Sequence, residues 1–276
     1  MFGSISDRTR LNNGVEMPWL GFGVYGLDDG DGVVRAVLHA LEIGYRSVDT
    51  ATVYGNERGV GRAIRESAVR REDIFLTTKV WNDDQRRRRT MAAFEESLER
   101  LAVDYVDLYL VHWPVPGFYE ETWQAMEAIH ASGRARAVGV SNFMPQHLET
   151  LRSSSELVPA VNQVEFHPRL VQPDVLQFCR DRGIQVEAWS PIMQGQVAAE
   201  DVILELAEKH GKTPAQVTLR WDLQHGVVTI PKSARPDRIA ENAGIFDFEL
   251  SEKEMRRLDA LDAGRRLGPD PCDFDF

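Results

Sequence analysis

The sequence predicts a single closed (β/α)8 barrel domain over residues 1–276. Two observations lead to this prediction. Eight short apolar runs alternate with amphipathic stretches, and no linker rich in Pro, Ser or Gly divides the chain. A doubly wound open sheet would need fewer strands and a reversal of strand order. Length alone would also allow two small domains.

The eight predicted strands are short apolar runs that end near glycine or polar turn residues. In chain order they are residues 19–23, 46–50, 74–80, 106–113, 135–142, 160–166, 184–190 and 227–232. Helical patterns lie between them. The clearest is 87–101, where Met91, Phe94, Leu98 and Leu101 recur at helical spacing.

Two additions to the barrel are predicted at its ends. Residues 8–16, RTRLNNGVE, contain an Asn-Asn-Gly turn and predict an N-terminal hairpin. Residues 251–261 predict an extra C-terminal helix, because Ser251 and Glu254 have the spacing of a capping box.

Two further features concern the C-terminal part of the chain. Thr213, Pro214 and Gln216 predict the start of a helix just before the last strand. The tail, residues 262–276, is expected to be irregular.

Composition and charge exclude several classes of protein. The net charge of −11 argues against nucleic-acid binding, which depends on neutralising phosphates. The run Arg86 to Arg89 follows two aspartates and opens an amphipathic helix, so we interpret it as a solvated helix face. An N-terminal apolar segment and an 18-residue apolar run are both missing, so we expect a cytoplasmic protein without a membrane partner.

Metal and disulfide chemistry are not predicted. Cys179 and Cys272 are 93 residues apart, which leaves neither a metal knuckle nor a redox pair. Six histidines show no metal-ligand spacing and are assigned to surface or capping roles: His39, His130, His147, His167, His210 and His225.

The stretch GFGVYG, residues 21–26, fits the dinucleotide-binding pattern G-x-G-x-x-G. Asp49 lies 23 residues past its last glycine, where a ribose-binding acid would lie. The residues that follow, LDDGDG, carry three aspartates, which would repel a pyrophosphate at a helix N-terminus. We therefore interpret Gly21 to Gly26 as the first barrel strand and the loop after it.

Polar residues end three neighbouring predicted strands. Asp49 ends the second, Lys79 the third and His112 the fourth, and Tyr54 lies in the loop after the second. The intervals of 30 and 33 residues are each about one βα unit, which brings the strand ends to one level. Because barrel enzymes carry their active sites at the C-terminal ends of the strands, these residues predict one catalytic cluster.

The members of this cluster suit proton transfer to an oxygen. An ammonium beside a phenol favours the phenolate, so Lys79 would make the Tyr54 proton easier to release. A buried lysine needs an anionic partner, which Asp49 would supply. His112 would position a substrate oxygen by a hydrogen bond. The cluster therefore suits protonation of an oxygen that becomes an alkoxide, as in carbonyl reduction.

A family resemblance covers essentially the whole chain. The segments GYRSVDTATVYGNERGVG, TTKVWN, VDLYLVHWP, VGVSNF, VNQVEFHP, AWSP and IPKSARPDRIAEN occur in this order. The chain thereby resembles the aldo-keto reductases, NADPH-dependent carbonyl reductases on a (β/α)8 barrel. It looks closest to the short bacterial members, which include the 2,5-diketo-D-gluconate reductases.

The resemblance implies roles for matching positions. Tyr54 matches the proton donor, Lys79 and Asp49 its activating pair, and His112 the orienting residue. Matching cofactor positions are Gly23 and Val24 near the nicotinamide end, Ser141, Asn142 and Gln163 at the carboxamide, Trp189 and Ser190 at the ring, Lys232, Ser233 and Arg238 at the 2′-phosphate, and Glu241 and Asn242 near adenine. Tyr25, Trp81 and Trp113 match the aromatic wall of the substrate pocket, with His112.

The chain also departs from the family pattern. Ile192 and Met193 replace a Leu-Gly pair in many relatives, which concerns the pyrophosphate contacts. The loop after the fourth strand and the tail are short, which suggests an open pocket and leaves the carbonyl substrate unassigned. Two functions stay open: an NADPH-dependent reductase of aldehydes or ketones, and an NADPH-binding sensor or auxiliary subunit with little turnover. A monomer is expected, since the sequence shows no coiled-coil seam or apolar surface stripe.

Overall fold

A computed structural model describes residues 2–276 and confirms the (β/α)8 barrel. Residue 1 of the predicted domain lies outside the described residues. Two antiparallel strands precede eight parallel ones: β1 (Arg8–Arg10) and β2 (Glu16–Pro18), then β3 (Phe22–Gly23), β4 (Ser47–Asp49), β5 (Phe75–Val80), β6 (Val106–Val111), β7 (Ala135–Ser141), β8 (Val161–Glu165), β9 (Gln185–Trp189) and β10 (Val228–Thr229). The parallel strands follow one another around the barrel in chain order.

The helices follow the barrel strands and surround them. They are α1 (Asp31–Ile43), α2 (Glu57–Glu66), α3 (Asn82–Arg86), α4 (Thr90–Leu101), α5 (Tyr119–Ala131), α6 (Pro145–Ser154), α7 (Pro173–Asp181), α8 (Asp201–His210), α9 (Pro214–Gln224), α10 (Pro236–Ala243) and α11 (Glu252–Asp259). Among the described residues, none of these helices has the length and apolar character needed to span a membrane.

Glycines of the GFGVYG stretch permit closure of the barrel. Leu20 pairs with Thr229, so the first strand meets the last. A Cβ on Gly21 would lie 2.8 Å from Ile230 Cγ2, and one on Gly23 would lie 3.0 Å from the Ile230 carbonyl oxygen. Glycine allows both approaches without moving Ile230, because a Cβ at either position would be closer to it than ordinary van der Waals contact.

The aspartates after these glycines also have structural partners. Asp29 Oδ1 accepts a hydrogen bond from the Gly59 backbone N–H at 2.8 Å, in the first turn of α2. Asp31 forms an ion pair with Arg62. The helix α1 begins at Asp31, five residues after Gly26. The GFGVYG pattern is therefore part of barrel closure.

The N-terminal hairpin covers the bottom of the barrel. Strands β1 and β2 pair in antiparallel register from Arg8 opposite Pro18 to Arg10 opposite Glu16, which confirms the hairpin and extends it to residue 18. Leu11 and Met17 are buried against inward-facing residues of the barrel, among them Phe75. The polar cluster lies at the opposite end of the barrel, where the strands finish.

The prediction that the arginine run opens an amphipathic helix is wrong, because α4 begins after the run, at Thr90 and not at residue 87. Arg88 has φ of 54°, a left-handed backbone, and separates the short α3 from α4, which begins at Thr90. Met91, predicted on the apolar face, is 42% exposed. The arginines pair with acidic side chains, for example Arg89 with Asp84.

The C-terminal region agrees with the sequence in most respects. The predicted capping box begins α11 at Ser251, and the predicted helix start at Thr213 is a second capping box, at the beginning of α9. The tail is irregular. One addition was not predicted, since α8 precedes α9 between the seventh and eighth barrel strands.

Candidate active site

Lys79 lies at the centre of the polar cluster at the barrel mouth. Its side chain is fully buried, and its Nζ donates hydrogen bonds to Asp49 Oδ1 at 2.6 Å, the Thr50 carbonyl oxygen at 3.0 Å and Tyr54 Oη at 3.4 Å. Asp49 and Lys79 end adjacent strands, β4 and β5, and both face the barrel interior. The structure thus brings together an acid, an ammonium and a phenol.

Burial and charge act against each other in this cluster. Burial lowers the pKa of Lys79, but Asp49, with Tyr54 and Glu187, outweighs it, so the pKa lies above its ordinary value. Burial raises the pKa of Tyr54, and although Lys79 lowers it, the net pKa is raised. The sequence predicted the direction of the Lys79 effect but not the larger effect of burial.

His112 lies beside the phenol on the next strand end. Its ring is 5.7 Å from the Tyr54 ring and 5.2 Å from the Trp81 ring, both in edge-on contact. Burial, followed by the charge of Lys79, holds the pKa of His112 well below its ordinary value. The imidazole is therefore neutral at physiological pH.

The residues assigned to the carboxamide form a second cluster on β7, β8 and β9. Asn142 Nδ2 donates to the His112 carbonyl oxygen at 3.0 Å, and Asn142 Oδ1 accepts from Trp189 Nε1 at 2.8 Å. Ser141 Oγ donates to the Gln163 carbonyl oxygen at 2.8 Å. Asn142 has φ of 66°, a left-handed backbone that asparagine adopts more readily than most residues.

Three assigned backbone positions line the same mouth. Gly23 and Val24 are buried, and the Val24 N–H donates to the Asp49 carbonyl oxygen at 3.1 Å. Ser190 follows β9 with a left-handed φ of 52°. Met193, one of the two departures from the family pattern, is buried and also left-handed, with φ of 50°. The loop after β9 is therefore tightly turned.

The residues assigned to the 2′-phosphate lie after β10. Lys232 and Arg238 are exposed, and neither side chain has a hydrogen bond or ion pair with another described residue. The neighbouring Arg235 is instead held by Asp237. Ser233 Oγ accepts from the Arg235 N–H at 3.1 Å. Two free cations in an acidic protein suit a phosphate.

The residues assigned near adenine have partners of their own. Glu241 Oε1 accepts from Thr213 Oγ1 at 2.8 Å, which joins α10 to the start of α9. Asn242 is buried. The bond to Thr213 leaves Glu241 with further acceptor sites for an adenine contact.

Aromatic residues border the mouth on the substrate side. Tyr25 is 68% exposed and its ring lies 5.1 Å from that of Tyr54. The tail adds two rings that the sequence did not assign: Phe276 stacks on Trp81 with a centroid distance of 5.8 Å, and Phe274 lies 5.2 Å from Trp113. The short tail therefore still reaches the pocket.

Two buried acids near the site were not predicted. Glu187, in β9, accepts from Gln163, and Glu165, in β8, accepts from the backbone N–H groups of Leu267 and Gly268 in the tail. Glu187 has the same strand phase as Trp189, two residues on, so alternation along β9 could have placed it on the face of an assigned cofactor residue. Among residues 2–276, no group of three His, Cys, Asp or Glu is placed to hold a metal ion.

The fold and the mouth cluster together define a barrel enzyme equipped to move a proton to a substrate oxygen. Comparison with known proteins gives the family. The model of the aldo/keto reductase family matches residues 20–263, and the chain belongs to this family of oxidoreductases. The resemblance seen in the sequence is thereby confirmed.

Several relatives and solved structures match nearly the whole chain. It is 55% identical over 273 residues to a glyoxal reductase of Bacillus subtilis, covering 99% of both chains. It is 48% identical over 269 residues to the methylglyoxal reductase DkgA of Salmonella typhimurium, covering 96% of this chain and 97% of that one. A mutant of Gox0644 in complex with NADPH superposes with a TM-score of 0.93 at 41% identity, covering 98% of this chain and 99% of that one. Like these relatives, the protein is a carbonyl reductase of the aldo/keto reductase family.

Proposed function

We propose that the protein uses NADPH to reduce small aldehydes and ketones to alcohols, with 2-oxoaldehydes such as methylglyoxal as the preferred class and Tyr54 as the proton donor. The observation that carries this proposal is the chain of contacts from Asp49 through Lys79 to Tyr54, with His112 against the phenol ring. The names of the glyoxal and methylglyoxal reductases support the substrate class.

The donors and acceptors at the mouth fit an NADPH molecule. Gln163 and Asn142 would hold the carboxamide, and the Trp189 ring, fixed by its bond to Asn142, would lie against the nicotinamide. The free side chains of Lys232 and Arg238 would hold the 2′-phosphate, whose charge the net-acidic protein otherwise repels. When bound, NADPH supplies a hydride to the carbonyl carbon.

The residues of the chain supply the proton and orient the substrate. Tyr54 gives its proton to the carbonyl oxygen as negative charge develops there, and Lys79 stabilises the resulting phenolate. His112 Nδ1 is buried without a hydrogen-bond partner among the described residues. Since a buried N–H without an acceptor is costly, the proton belongs on Nε2, from which it can be donated to the substrate oxygen.

Two alternatives receive less support. A sensor or auxiliary subunit with little turnover would have no need of a buried ammonium aimed at a phenol. Reduction of 2,5-diketo-D-gluconate, a larger and more polar substrate, fits less well with a mouth bordered by Tyr25, Trp81, Phe274 and Phe276. We further propose a monomeric cytoplasmic enzyme without a nucleic-acid partner, and size-exclusion chromatography with light scattering can test the monomer.

Replacement of Tyr54 tests the catalytic assignment. We expect Tyr54→Phe to lower kcat for methylglyoxal by about 10²- to 10⁴-fold, because the proton donor is lost, while the Kd for NADPH is unchanged. Stopped-flow NADPH oxidation and a fluorescence titration measure the two quantities. Tyr105→Phe, which removes a hydroxyl from a ring packed under Arg71, serves as the control. Full activity in Tyr54→Phe would refute the assignment.

Replacement of Arg238 tests the 2′-phosphate assignment. We expect Arg238→Ala to raise the Kd for NADPH by about ten-fold or more, since one charge-assisted contact is lost, and to leave the Kd for NADH unchanged. Arg235→Ala is the matched control, because the Arg235 guanidinium is already held by Asp237. Equal losses for both cofactors would mean that the phosphate is bound elsewhere.

A further inference from the structure

The side-chain amide of Gln163 lies between two buried carboxyl groups. Its Nε2 donates to Asp49 Oδ2 at 2.9 Å and to Glu187 Oε2 at 2.7 Å. All three side chains are buried; Asp49 ends β4, and Gln163 and Glu187 are the middle residues of β8 and β9. Both N–H groups of the amide are thus bonded to buried carboxyl groups and are not available to a ligand.

This arrangement fixes the orientation of the amide. A rotation of the Gln163 amide by 180° would place its Oε1 against the two carboxyl groups. One of these is Asp49, the charged partner of Lys79, which has no hydrogen to donate to Oε1. Oε1 accepts no hydrogen bond from another described residue. The amide therefore presents an acceptor to a ligand at the barrel mouth.

Glu187 differs from Asp49 in forming a hydrogen bond with no group of the site other than Gln163. Asp49 is shared, because its Oδ1 holds Lys79. Glu187 Oε2 contacts only Gln163, and Glu187 Oε1 is buried without a hydrogen-bond partner among residues 2–276. Because burying a carboxyl group costs free energy, packing alone would favour an apolar side chain here.

We propose that Glu187 is a positioning residue that holds the Gln163 amide with its oxygen toward the cofactor, so that Gln163 recognises the carboxamide NH2 of the nicotinamide. The inference rests on the proposed use of NADPH. Glu187 touches neither cofactor nor substrate and acts through Gln163. It gives the enzyme selectivity for a carboxamide over groups that accept but do not donate a hydrogen bond.

A cofactor analogue isolates this contact. In 3-acetylpyridine adenine dinucleotide phosphate, an acetyl group replaces the carboxamide, so the carbonyl is kept and the NH2 is lost. We would measure the Kd of NADP⁺ and of this analogue by quenching of intrinsic tryptophan fluorescence, with no turnover involved. The Kd of 2′,5′-ADP, which lacks nicotinamide, would report on the phosphate end alone.

The wild-type protein should prefer NADP⁺ to the analogue by about ten-fold, the effect of one buried hydrogen bond. Glu187→Gln retains an acceptor for Gln163 and should keep this preference. Glu187→Met fills the space without an acceptor and should reduce the preference to about three-fold or less. Asp222→Asn, a matched change at a buried acid bonded to Thr229, should behave as wild type.

Three results would overturn the proposal. The first is a Glu187→Met protein that prefers NADP⁺ to the analogue as strongly as wild type does. The second is an equal loss of this preference in Glu187→Gln and Glu187→Met. The third is a loss of 2′,5′-ADP binding in Glu187→Met as large as its loss of NADP⁺ binding. Failure of the proposed function is distinguishable, since a wild-type protein that binds neither NADP⁺ nor 2′,5′-ADP would contradict NADPH use itself.

Discussion

Tyr54 shows how two opposing effects on one residue set its chemistry. Burial raises its pKa, Lys79 lowers it by less, and the hydroxyl keeps its proton at neutral pH. A phenol in this state protonates only a much stronger base. In the proposed reaction, an alkoxide formed by hydride addition would be such a base, so Tyr54 would hold its proton until the substrate oxygen develops negative charge.

Lys79 depends on Asp49 for its charge. A fully buried ammonium without a partner would lose its proton, and the 2.6 Å contact with Asp49 prevents this. The Gln163 bond holds the second oxygen of the same carboxylate. The proposed proton donor and the residues assigned to the cofactor ring therefore share one acid.

The protonation of Glu187 makes stability depend on pH. Burial first, and then the charge of Asp49, raise its pKa from 4.5 to about 8, while Gln163 and Lys79 oppose the shift. The unfolded chain releases this proton near pH 4.5 and the folded chain retains it until about pH 8. The stability that the folded state gains from this proton is complete below pH 4.5 and is lost as the pH rises to about 8.

Glu187→Gln tests this dependence, because an amide cannot ionise. We expect the variant to become more stable relative to wild type as the pH rises through that window, by up to about 1.4 kcal/mol per pH unit. Urea unfolding of both proteins at several pH values measures the difference. A difference that is constant with pH would show that folding does not raise the pKa of Glu187.

At the scale of elements, close contacts between helices depend on single glycines. A Cβ on Gly61 in α2 would lie 2.0 Å from the carbonyl oxygen of Leu101, the last residue of α4. Backbone cannot move aside as a side chain can. The two helices can therefore pack at this distance only with glycine at position 61.

Gly61→Ala should lower the free energy of unfolding by about 1–3 kcal/mol or more, the cost of overpacking. Gly32→Ala is the matched change, since Gly32 lies in the exposed first turn of α1 with nothing within 4 Å of its added Cβ. We expect that variant to be stabilised by about 0.5–1 kcal/mol. Chemical denaturation measures both, and destabilisation of equal size in the two would contradict the contact.

For the whole molecule, the tail joins the substrate and cofactor sides of the mouth. Its N–H groups at Leu267 and Gly268 bind Glu165, and a Cβ on Gly268 would lie 2.5 Å from the Trp189 ring. Farther along, Phe276 stacks on Trp81. One irregular segment thus borders both the assigned nicotinamide site and the substrate pocket.

Phe276→Ala should therefore weaken substrate binding and leave cofactor binding unchanged. We expect KM for methylglyoxal to rise by about two- to ten-fold, because the aromatic wall loses one ring, while the Kd for NADPH is unchanged. Phe276→Tyr keeps the stacked ring and should resemble wild type. Steady-state kinetics measure the change, and an unchanged KM in Phe276→Ala would place the substrate away from this wall.

The sequence by itself determined the barrel, its hairpin, the starts of α9 and α11 and the strand-end cluster. Strand alternation and the length of a βα unit are local properties, so spacing could bring Asp49, Lys79 and His112 to neighbouring strand ends. It did not give their register, because Asp49 pairs with Thr77 and Lys79 with Leu110, two residues before the expected partner in each case. The family motifs added the cofactor positions. The helical pattern did not predict the break at Arg88, where a residue with a left-handed backbone separates α3 from α4.

Tertiary structure alone decided which distant groups meet. No local pattern pairs Gln163 with Glu187, sends Phe276 to Trp81 or requires Gly21 to pass Ile230, because each contact joins segments whose separation depends on how the whole barrel closes. Burial was also undecided until the chain folded. It outweighs the Lys79 charge at Tyr54, since desolvation depends on every element packed around the group.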